Sequence, residues 1–282
     1  EGTGEMGYKA SLKTLEKSGI PREEIDFIIF ATLSPDYTFP GSGCLMQEML
    51  DLPGIGALDV RNQCCGFIYG LSIADQYIKT GMYNCVLVVG SEVHSTGLDL
   101  STTGRDLAVL FGDGAGAAIL VPSEDNESGI LSTHLHADGR HIKELWVECP
   151  GSIFSPRINH KMIDEGRHYP KMNGRQVFKY AVSKFPKVIM AALETNGLSI
   201  EDVKLVIPHQ ANQRITEAVA HKLKISMDKV FSNIHKYGNT TAASIPIALD
   251  EALEEGRIKK GDLIILAAFG SGFTWASAAI RW

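Results

Sequence analysis

Short apolar runs with little polar alternation recur along the chain, bounded by glycines and polar turns. The run Phe27–Ala31 is one, and residues 86–90 and 263–267 are others. Runs of this kind, rich in Val, Ile and Leu, predict strands in sheets that are buried on both faces. Segments with the helical spacing of apolar residues lie between them, such as the one from Phe67 to a stop at Gly81. The pattern therefore predicts an α/β fold.

The same plan occurs twice. Residues 14–32 align without a gap with residues 192–210 at one offset (192 − 14 = 178), and both blocks predict a helix end, a glycine stop, an acidic turn and a strand. Two further strand pairs match in the same order: 86–90 with 263–267, and 115–120 with 276–281. Three ordered matches predict two duplicated halves, which we place at residues 1–125 and 126–282.

The repeat also predicts a segment ahead of Glu1. In the second half, an apolar run at residues 129–136 precedes the helix predicted at residues 177–193. Its counterpart in the first half would fall about fifty residues before the first residue (129 − 178 = −49). We expect that segment to include the first strand of the first half, and we expect an unpaired sheet edge where the strand is lacking.

Composition and charge narrow the class of protein. Of the 282 residues, 44% are hydrophobic and 21% charged, as in ordinary globular proteins. The net charge is −6 and there is no basic tract, so nucleic acid is not an expected partner, and an acidic partner would have to meet a local basic patch. The chain has no apolar stretch of about 18 residues, so the sequence predicts no membrane span. The five cysteines are odd in number and lack metal-site spacing, which favours a reducing, cytoplasmic location and no metal.

Cys64 lies where a strand pattern passes into a helical one, in the segment DVRNQCCGF (59–67). A strand-to-helix turn would place this residue at a helix N-terminus, where the dipole and free N–H groups favour a thiolate. A thiolate is a good nucleophile and acyl carrier. A buried structural cysteine is the alternative, and this segment alone does not separate the two. We expect Cys65 to point elsewhere and to pack.

Two polar residues of the second half occupy comparable positions. His209, in PHQAN (208–212), ends a predicted strand, where open α/β sheets bind ligands, although a structural histidine is the alternative. Asn239 precedes a predicted helix and matches the Cys64 turn through the repeat. Its amide can donate two hydrogen bonds, but it could instead be an N-cap. We expect two helix N-termini to face one site.

Two glycine-containing segments have different interpretations. FGSGFTW (269–275) follows a predicted buried strand, and its backbone N–H groups could form an oxyanion hole, with a plain turn as the alternative. FGDGAGAA (111–118) has GxGxxG-like spacing but precedes a strand rather than a helix. We therefore exclude a dinucleotide-binding fingerprint and interpret it as tight packing.

In combination, five segments resemble β-ketoacyl-acyl-carrier-protein synthase III, in that family's order and spacing. They are QCCGF (63–67), LFGDGAGAA (110–118), PHQAN (208–212), GNTTAASIP (238–246) and GSGFTWASA (270–278). The resemblance covers essentially the whole chain, short of the family's first fifty or so residues. It implies a thiolase-like αβαβα five-layer sandwich, a homodimer, and coenzyme A thioesters as substrates without a further cofactor.

The resemblance also implies a mechanism that initiates fatty acid synthesis. Cys64 matches the cysteine that takes the acyl group from acyl-CoA, before malonyl-acyl carrier protein enters and loses carbon dioxide. His209 and Asn239 match the donors that stabilise the resulting thioester enolate. The backbone N–H groups of Cys64 and Ser271 match the oxyanion hole, and Phe269 matches a residue that packs against the His–Asn pair.

Further residues match substrate contacts of the family. Arg105 and Asn212 match coenzyme A contacts, and Phe39 matches a residue that reaches the neighbouring subunit's acyl tunnel. Lys179, Arg214 and Lys222 match the basic face that docks the carrier protein, and an anionic carrier would be steered to them. Solvated surface charge is the alternative for these three.

Three departures from the family pattern leave the substrate open. Residues 61–63 are bulkier and more polar than is usual before the cysteine, and Ser271 interrupts a glycine triplet. Residues 149–172 form a longer segment than expected, whose Pro, Gly and charge content predicts an extended surface loop that could shape the donor entrance.

Three rival functions remain to be weighed. A condensing enzyme or acyltransferase of secondary metabolism would share Cys64 and His209 but need not use malonyl-acyl carrier protein. A non-catalytic acyl-binding subunit would lack the acyl-enzyme altogether. A degradative thiolase is disfavoured, because that family uses a second cysteine as base. Cys65 cannot take that part, since its adjacency to Cys64 points its side chain away.

Overall fold

Two mixed four-stranded sheets form the framework of the protein, in a computed structural model that describes residues 1–125 and 127–282. The first sheet has the order β2-β1-β3-β4 and the second β5-β10-β9-β8. The first contains β1 (Phe27–Ala31), β2 (Gly56–Val60), β3 (Val86–Glu92) and β4 (Gly114–Leu120). The second contains β5 (Gly129–Ala137), β8 (Val203–Pro208), β9 (Leu263–Gly270) and β10 (Thr274–Arg281). A small third sheet pairs β6 (Leu145–Val147) with β7 (Pro170–Met172).

The helices form three layers around the two large sheets. In chain order they are α1 (Thr3–Ser18), α2 (Ser42–Met49), α3 (Gly66–Lys79), α4 (Arg105–Ala108), α5 (His160–Asp164), α6 (Gly174–Thr195), α7 (Gln213–Leu223), α8 (Ile234–Tyr237) and α9 (Ser244–Glu254). Helices α1 and α2 cover the outer face of the first sheet, α3 and α9 lie between the sheets, and α6, with α7 against it, covers the second. The predicted five-layer α/β sandwich is confirmed.

The predicted strands form where the apolar runs lie. All residues of β1, β3 and β9 are buried, as expected for central strands covered by helices on both faces. The helix predicted at residues 177–193 falls within α6. The first predicted glycine stop is confirmed at Gly19, which ends α1 with φ 69°, a left-handed conformation that glycine adopts without steric cost.

One hydrophobic core joins the two sheets. Phe67 of α3 is fully buried and belongs to the same cluster as Ile29 of the first sheet and Ile207 and Leu266 of the second. The division into halves at residues 125 and 126 therefore stays a prediction, although the two large sheets lie on opposite sides of it along the chain. Asn126, where the second half is predicted to begin, lies outside the described residues.

Strand β4 forms the far edge of the first sheet. It pairs with β3 on one side, and within the described residues no strand pairs with its other side. An open groove of about 920 Å³ runs beside it between α1 and α9, lined by Ala115, Gly116 and Ala117 of the strand. The segment expected to precede Glu1, and the sheet edge expected where it is lacking, both stay predictions.

The segment 149–172 is more ordered than an extended surface loop. It contains α5 and β7, and Asn159 caps α5 by accepting a hydrogen bond from the Met162 backbone N–H at 3.0 Å. Cys149 at its start is fully buried. The prediction of a surface loop was wrong for α5 and β7, where a side-chain cap and a short strand pairing satisfy the backbone locally, and it holds for residues 150–159 and 165–169, which lie outside helices and strands. Ile153 nonetheless projects into solvent, 81% exposed.

Candidate active site

Cys64 lies in a 3₁₀ turn, Gln63–Cys65, between β2 and α3. The residue is only 6% exposed. The backbone N–H groups of Ser271 and of Cys64 itself approach the thiol closely enough to lower its pKa. Cys65 is fully buried in the core that joins the sheets, as predicted for a packing residue. Backbone N–H groups therefore approach the Cys64 thiol, whereas the adjacent Cys65 thiol packs in the core.

The thiol of Cys64 is held in its protonated form. Burial raises its pKa above the ordinary value, and the neighbouring Cys65 and Glu92 raise it further, while the N–H groups of Ser271 and Cys64 lower it. The helix N-terminus led us to expect a favoured thiolate, but the loss of solvation outweighs that effect. A nucleophilic role for Cys64 would therefore require removal of the thiol proton.

His209 follows β8 directly, and its orientation is fixed at two points. Its backbone N–H donates to the Ala267 carbonyl at 2.7 Å, and its Nδ1 lies 2.6 Å from Ser244 Oγ. The Nε2 atom is buried and has no hydrogen-bond partner among the residues that the structure describes. Burial lowers the pKa of His209 to about 3, with a further contribution from His94, so the ring is neutral near pH 7. A neutral ring with one free nitrogen can donate to, or accept from, a bound substrate.

Asn239 is held by backbone contacts on both sides. Its N–H donates to the Leu110 carbonyl at 2.7 Å, and its carbonyl accepts from the Gly112 N–H at 3.1 Å. The side-chain oxygen accepts from the Thr241 N–H at 2.9 Å, which leaves the amide nitrogen to donate elsewhere. The residue does not cap α9, which begins only at Ser244 after the 3₁₀ turn Thr241–Ala243.

Three turns meet around the segment that contains Cys64. A Cβ added at Gly270, the last residue of β9, would lie 2.7 Å from Cys64 Sγ. A Cβ added at Gly66 would lie 3.5 Å from Ala242 Cβ, in the turn after Asn239. The two turns that flank the site also correspond through the repeat, since Gln63 (φ 40°) and Thr241 (φ 48°) differ by the same offset (241 − 63 = 178). The N-termini of α3 and α9, which were expected to face one site, therefore lie close together, each preceded by a 3₁₀ turn.

Ser271 and Phe269 lie at the end of β9 as expected from the glycine-containing segment. The Ser271 hydroxyl donates to the Leu145 carbonyl of β6, so the turn that supplies its N–H to Cys64 is tied to the small sheet. Phe269 is buried, with its ring centroid 4.8 Å from that of Phe273.

Sequence reasoning missed three polar residues beside the site. Glu92 is fully buried at the end of β3 and accepts hydrogen bonds from Ser34 Oγ at 2.7 Å and Thr32 Oγ1 at 3.0 Å. Burial raises its pKa to about 7. His94 and Ser244 are buried as well. The sequence signal that could have identified Glu92 is its position as a charged residue at the C-terminal end of an otherwise apolar strand.

The remaining predicted residues lie on the periphery. Arg105 begins the short helix α4 and is solvent-exposed, and Asn212 caps α7 by accepting from the Arg214 N–H at 2.9 Å. Phe39 is 80% exposed in the connection between β1 and α2. The three basic residues are exposed on the packed pair α6 and α7: Lys179, Arg214 and Lys222.

Two classes of feature are not found in the part of the chain that the structure describes. None of its helices has the length and apolar character needed to cross a bilayer. No group of three or more His, Cys, Asp or Glu side chains in residues 1–125 and 127–282 is arranged to hold a metal ion.

Comparison with known proteins identifies relatives of the whole chain. Residues 58–139 match the family model for 3-oxoacyl-[acyl-carrier-protein] synthase III, and residues 193–282 match the model for its C-terminal part. A β-ketoacyl-[acyl-carrier-protein] synthase III from Caldanaerobacter subterraneus subsp. tengcongensis is 44% identical over 282 residues, which are all of this chain and 84% of that protein.

Solved structures agree with this relationship. The 3-oxoacyl-[acyl-carrier-protein] synthase III from Aquifex aeolicus VF5 superimposes with a TM-score of 0.91 at 44% identity, covering 100% of this chain and 85% of that one. The priming β-ketosynthase of the R1128 polyketide biosynthetic pathway is more distant, with a TM-score of 0.88 at 30% identity over 99% of this chain and 81% of that one. The chain therefore belongs to the β-ketoacyl-[acyl-carrier-protein] synthase III family.

Proposed function

We propose that this protein condenses an acyl group, taken from acyl-CoA, with malonyl-acyl carrier protein to initiate fatty acid synthesis. The products are a 3-oxoacyl-acyl carrier protein, carbon dioxide and free coenzyme A. The observation that carries the proposal is the meeting of three turns. The Cys64 turn lies against Gly270 at the end of β9 and against Ala242 in the turn after Asn239, and the same strand β9 accepts the His209 N–H at Ala267.

In the first half-reaction, Cys64 Sγ attacks the carbonyl carbon of the acyl thioester. The carbon–sulfur bond to coenzyme A breaks, the thiol proton of Cys64 is given up, and coenzyme A leaves as its thiol. The N–H groups of Cys64 and Ser271 stabilise the oxyanion that forms on the carbonyl oxygen. Because burial raises the pKa of the thiol, its proton has to be removed for Cys64 to react, and that proton ends on the departing coenzyme A sulfur.

In the second half-reaction, malonyl-acyl carrier protein loses carbon dioxide and its C2 carbanion attacks the acyl carbonyl on Cys64. The new carbon–carbon bond forms as the carbon–sulfur bond to Cys64 breaks, and the thiolate released regains a proton. Before attack, the negative charge resides largely on the thioester oxygen as an enolate. His209 Nε2–H and Asn239 Nδ2–H donate to that oxygen.

The Ser244 hydroxyl selects the form of His209 that this step needs. If the hydroxyl donates to Nδ1, from which Oγ is 2.6 Å away, the ring proton resides on Nε2. The Thr241 carbonyl, 3.0 Å from the same oxygen, is the competing acceptor. Donation to the enolate requires the proton on Nε2, so the reactive form is the one in which the hydroxyl turns from the Thr241 carbonyl to His209 Nδ1.

The finer features of the protein are proposed from the family. Arg105 and Asn212 contact coenzyme A, Phe39 reaches the acyl tunnel of a second copy in a homodimer, and Phe269 supports the His–Asn pair. The thioesters are the substrates, and no additional cofactor takes part. A cytoplasmic location is supported by the five cysteines, all within the described residues and all free.

A starter condensation in secondary metabolism is the second candidate. The R1128 priming β-ketosynthase supports it, since it has the same fold at 30% identity. The 44% identity to the Caldanaerobacter synthase III favours fatty acid synthesis.

Intact-protein mass spectrometry after incubation with a panel of acyl-CoAs tests the proposal. We expect a gain of one acyl group, which Cys64→Ala abolishes. The matched control is Cys65→Ala, which changes the adjacent, packing cysteine and retains the adduct. Addition of malonyl-acyl carrier protein should then discharge the acyl-enzyme and yield 3-oxoacyl-acyl carrier protein. An unmodified protein with every donor, or an adduct that survives Cys64→Ala, would contradict the proposal.

A further inference from the structure

His94 lies buried beside the turn that carries Asn239, two residues beyond the end of β3. Its Nε2 is 2.8 Å from the Thr241 hydroxyl. Its ring centroid is 4.8 Å from that of Phe111. The imidazole therefore contacts a residue on each of the two segments that hold Asn239.

Thr241 has a backbone conformation that its surroundings must maintain. Its φ of 48° lies in the left-handed region, which is uncommon for any side chain except glycine and a genuine outlier for a β-branched residue. Such conformations persist only where neighbouring contacts over-determine them. The hydrogen bond between His94 and the Thr241 hydroxyl is a buried contact of this kind.

The main chain of Thr241 serves both enolate donors. Its N–H donates to Asn239 Oδ1 at 2.9 Å and so directs the amide nitrogen. Its carbonyl oxygen lies 3.0 Å from Ser244 Oγ, the atom that contacts His209 Nδ1. A shift of Thr241 would consequently change the orientation of Asn239 and the choice of acceptor for the Ser244 hydroxyl.

The other contact of His94 acts on the opposite flank of Asn239. Phe111 lies between two residues that bond to the Asn239 backbone. The Leu110 carbonyl accepts from the Asn239 N–H at 2.7 Å, and the Gly112 N–H donates to the Asn239 carbonyl at 3.1 Å. Packing of the imidazole on the Phe111 ring therefore restrains the strand-like pairing that fixes the Asn239 backbone.

We propose that His94 is a positioning residue for the decarboxylation step, acting through Thr241 and Phe111 on Asn239 and on the Ser244–His209 pair. This inference rests on the proposed function, because it concerns the donors to the thioester enolate. Acyl transfer to Cys64 depends instead on the N–H groups of Cys64 and Ser271, which belong to other turns. Loss of the His94 side chain should therefore impair one half-reaction and spare the other.

The experiment measures the two half-reactions separately, first in the wild-type protein. Acylation of Cys64 is followed by intact mass, and carbon dioxide release is followed with malonyl-acyl carrier protein. In His94→Leu we expect decarboxylation to fall about 10- to 100-fold, because a displaced catalytic donor costs rate steeply. We expect acylation to stay within about 2-fold of wild type. His94→Gln, which can still hydrogen-bond to Thr241, should recover most of the loss.

Two further variants separate positioning from general destabilisation. In an Asn239→Ala background, His94→Leu should cost less than in the wild-type protein, because the part of its effect that passes through Asn239 is already lost and only the part through His209 remains. The matched control is His136→Leu, which removes an exposed histidine stacked on Trp275 and should leave both half-reactions unchanged.

Three results would overturn the inference. In the first, His94→Leu decarboxylates at the wild-type rate. In the second, both half-reactions and the melting temperature fall together, with no rescue by His94→Gln. In the third, the wild-type protein carries out neither half-reaction, which would overturn the proposed function and this inference with it.

Discussion

At the scale of single residues, Glu92 is a buried carboxyl group whose charge raises the pKa of the Cys64 thiol. It accepts hydrogen bonds from the backbone N–H groups of Leu33 and Ser34 at 3.1 and 3.2 Å and raises the pKa of Cys64. These donors offset part of the cost of burying a charge, yet burial still prevails and raises the pKa of Glu92 to about 7. The protonation state of this residue therefore changes near neutral pH.

This raised pKa predicts a pH-dependent stability. The folded protein retains the Glu92 proton to higher pH than the unfolded chain, whose pKa is near the ordinary 4.5. The stabilisation is complete below about pH 4.5 and is lost as the pH rises through 7, at up to about 1.4 kcal/mol per pH unit. Glu92→Gln cannot titrate, so its free energy of unfolding relative to wild type should rise between pH 5 and 8.

Urea unfolding at several pH values measures this difference. Exposed Glu194→Gln is the control and should follow the wild-type pH dependence. A constant difference between Glu92→Gln and wild type across the range would show that Glu92 does not titrate there.

At the scale of elements, the close approach of β9 to the Cys64 turn depends on Gly270, which has no side chain. A Cβ at Gly270 would lie 2.6 Å from Cys64 Cβ, closer than real Cβ atoms approach one another. Since β9 is buried along its whole length, it has little room to retreat, and the turn is the part that would move. The end of β9 therefore determines where the Cys64 thiol lies.

Gly270→Ala should slow acylation of Cys64 by at least about 100-fold, because small displacements of a nucleophile cost rate steeply. Intact mass against time, with a single acyl-CoA, measures this rate. Gly174→Ala at the start of α6 is the matched control, since a Cβ there would lie 3.8 Å from Met172 Cε, in ordinary contact. An unchanged rate in Gly270→Ala would contradict the assigned geometry.

At the scale of the whole molecule, the halves share the core in which Phe67 of α3 is fully buried. Phe67→Ala should lower the free energy of unfolding by about 3–5 kcal/mol, through lost burial and the cavity left behind. Unfolding should remain a single transition by fluorescence and circular dichroism. The control is Leu12→Ala on α1, where the side chain is 42% exposed and a small effect is expected. Two separate transitions would instead indicate halves that fold independently.

The net charge of the whole molecule also affects how it would bind a carrier protein. The protein carries a net charge of −6, so an anionic carrier protein must be attracted locally. Arg214→Ala/Lys222→Ala on α7 should raise KM for malonyl-acyl carrier protein about 10-fold at low salt and less at high salt, while acylation by acyl-CoA is unaffected. Lys259→Ala/Lys260→Ala removes two exposed lysines elsewhere and should change neither. Equal effects of both pairs would exclude a docking face on α7.

Apolar patterning and the internal repeat were sufficient to determine the α/β class, the central strands and the duplicated plan. They also placed Cys64 before a helix and His209 at a strand end. These features are local, because residues close together in the chain determine whether a strand is buried on both faces and where a helix ends. The motifs then identified the family to which the chain belongs.

Only the tertiary structure decided which residues support the site and how the site is charged. Glu92, His94 and Ser244 look unremarkable in the sequence, because their partners lie far along the chain, as with His94 and Thr241. The pKa of Cys64 rises although a helix begins beside it, since the loss of solvation depends on every element packed around the thiol. Burial and long-range hydrogen bonds are properties of the assembled chain, and local pattern does not encode them.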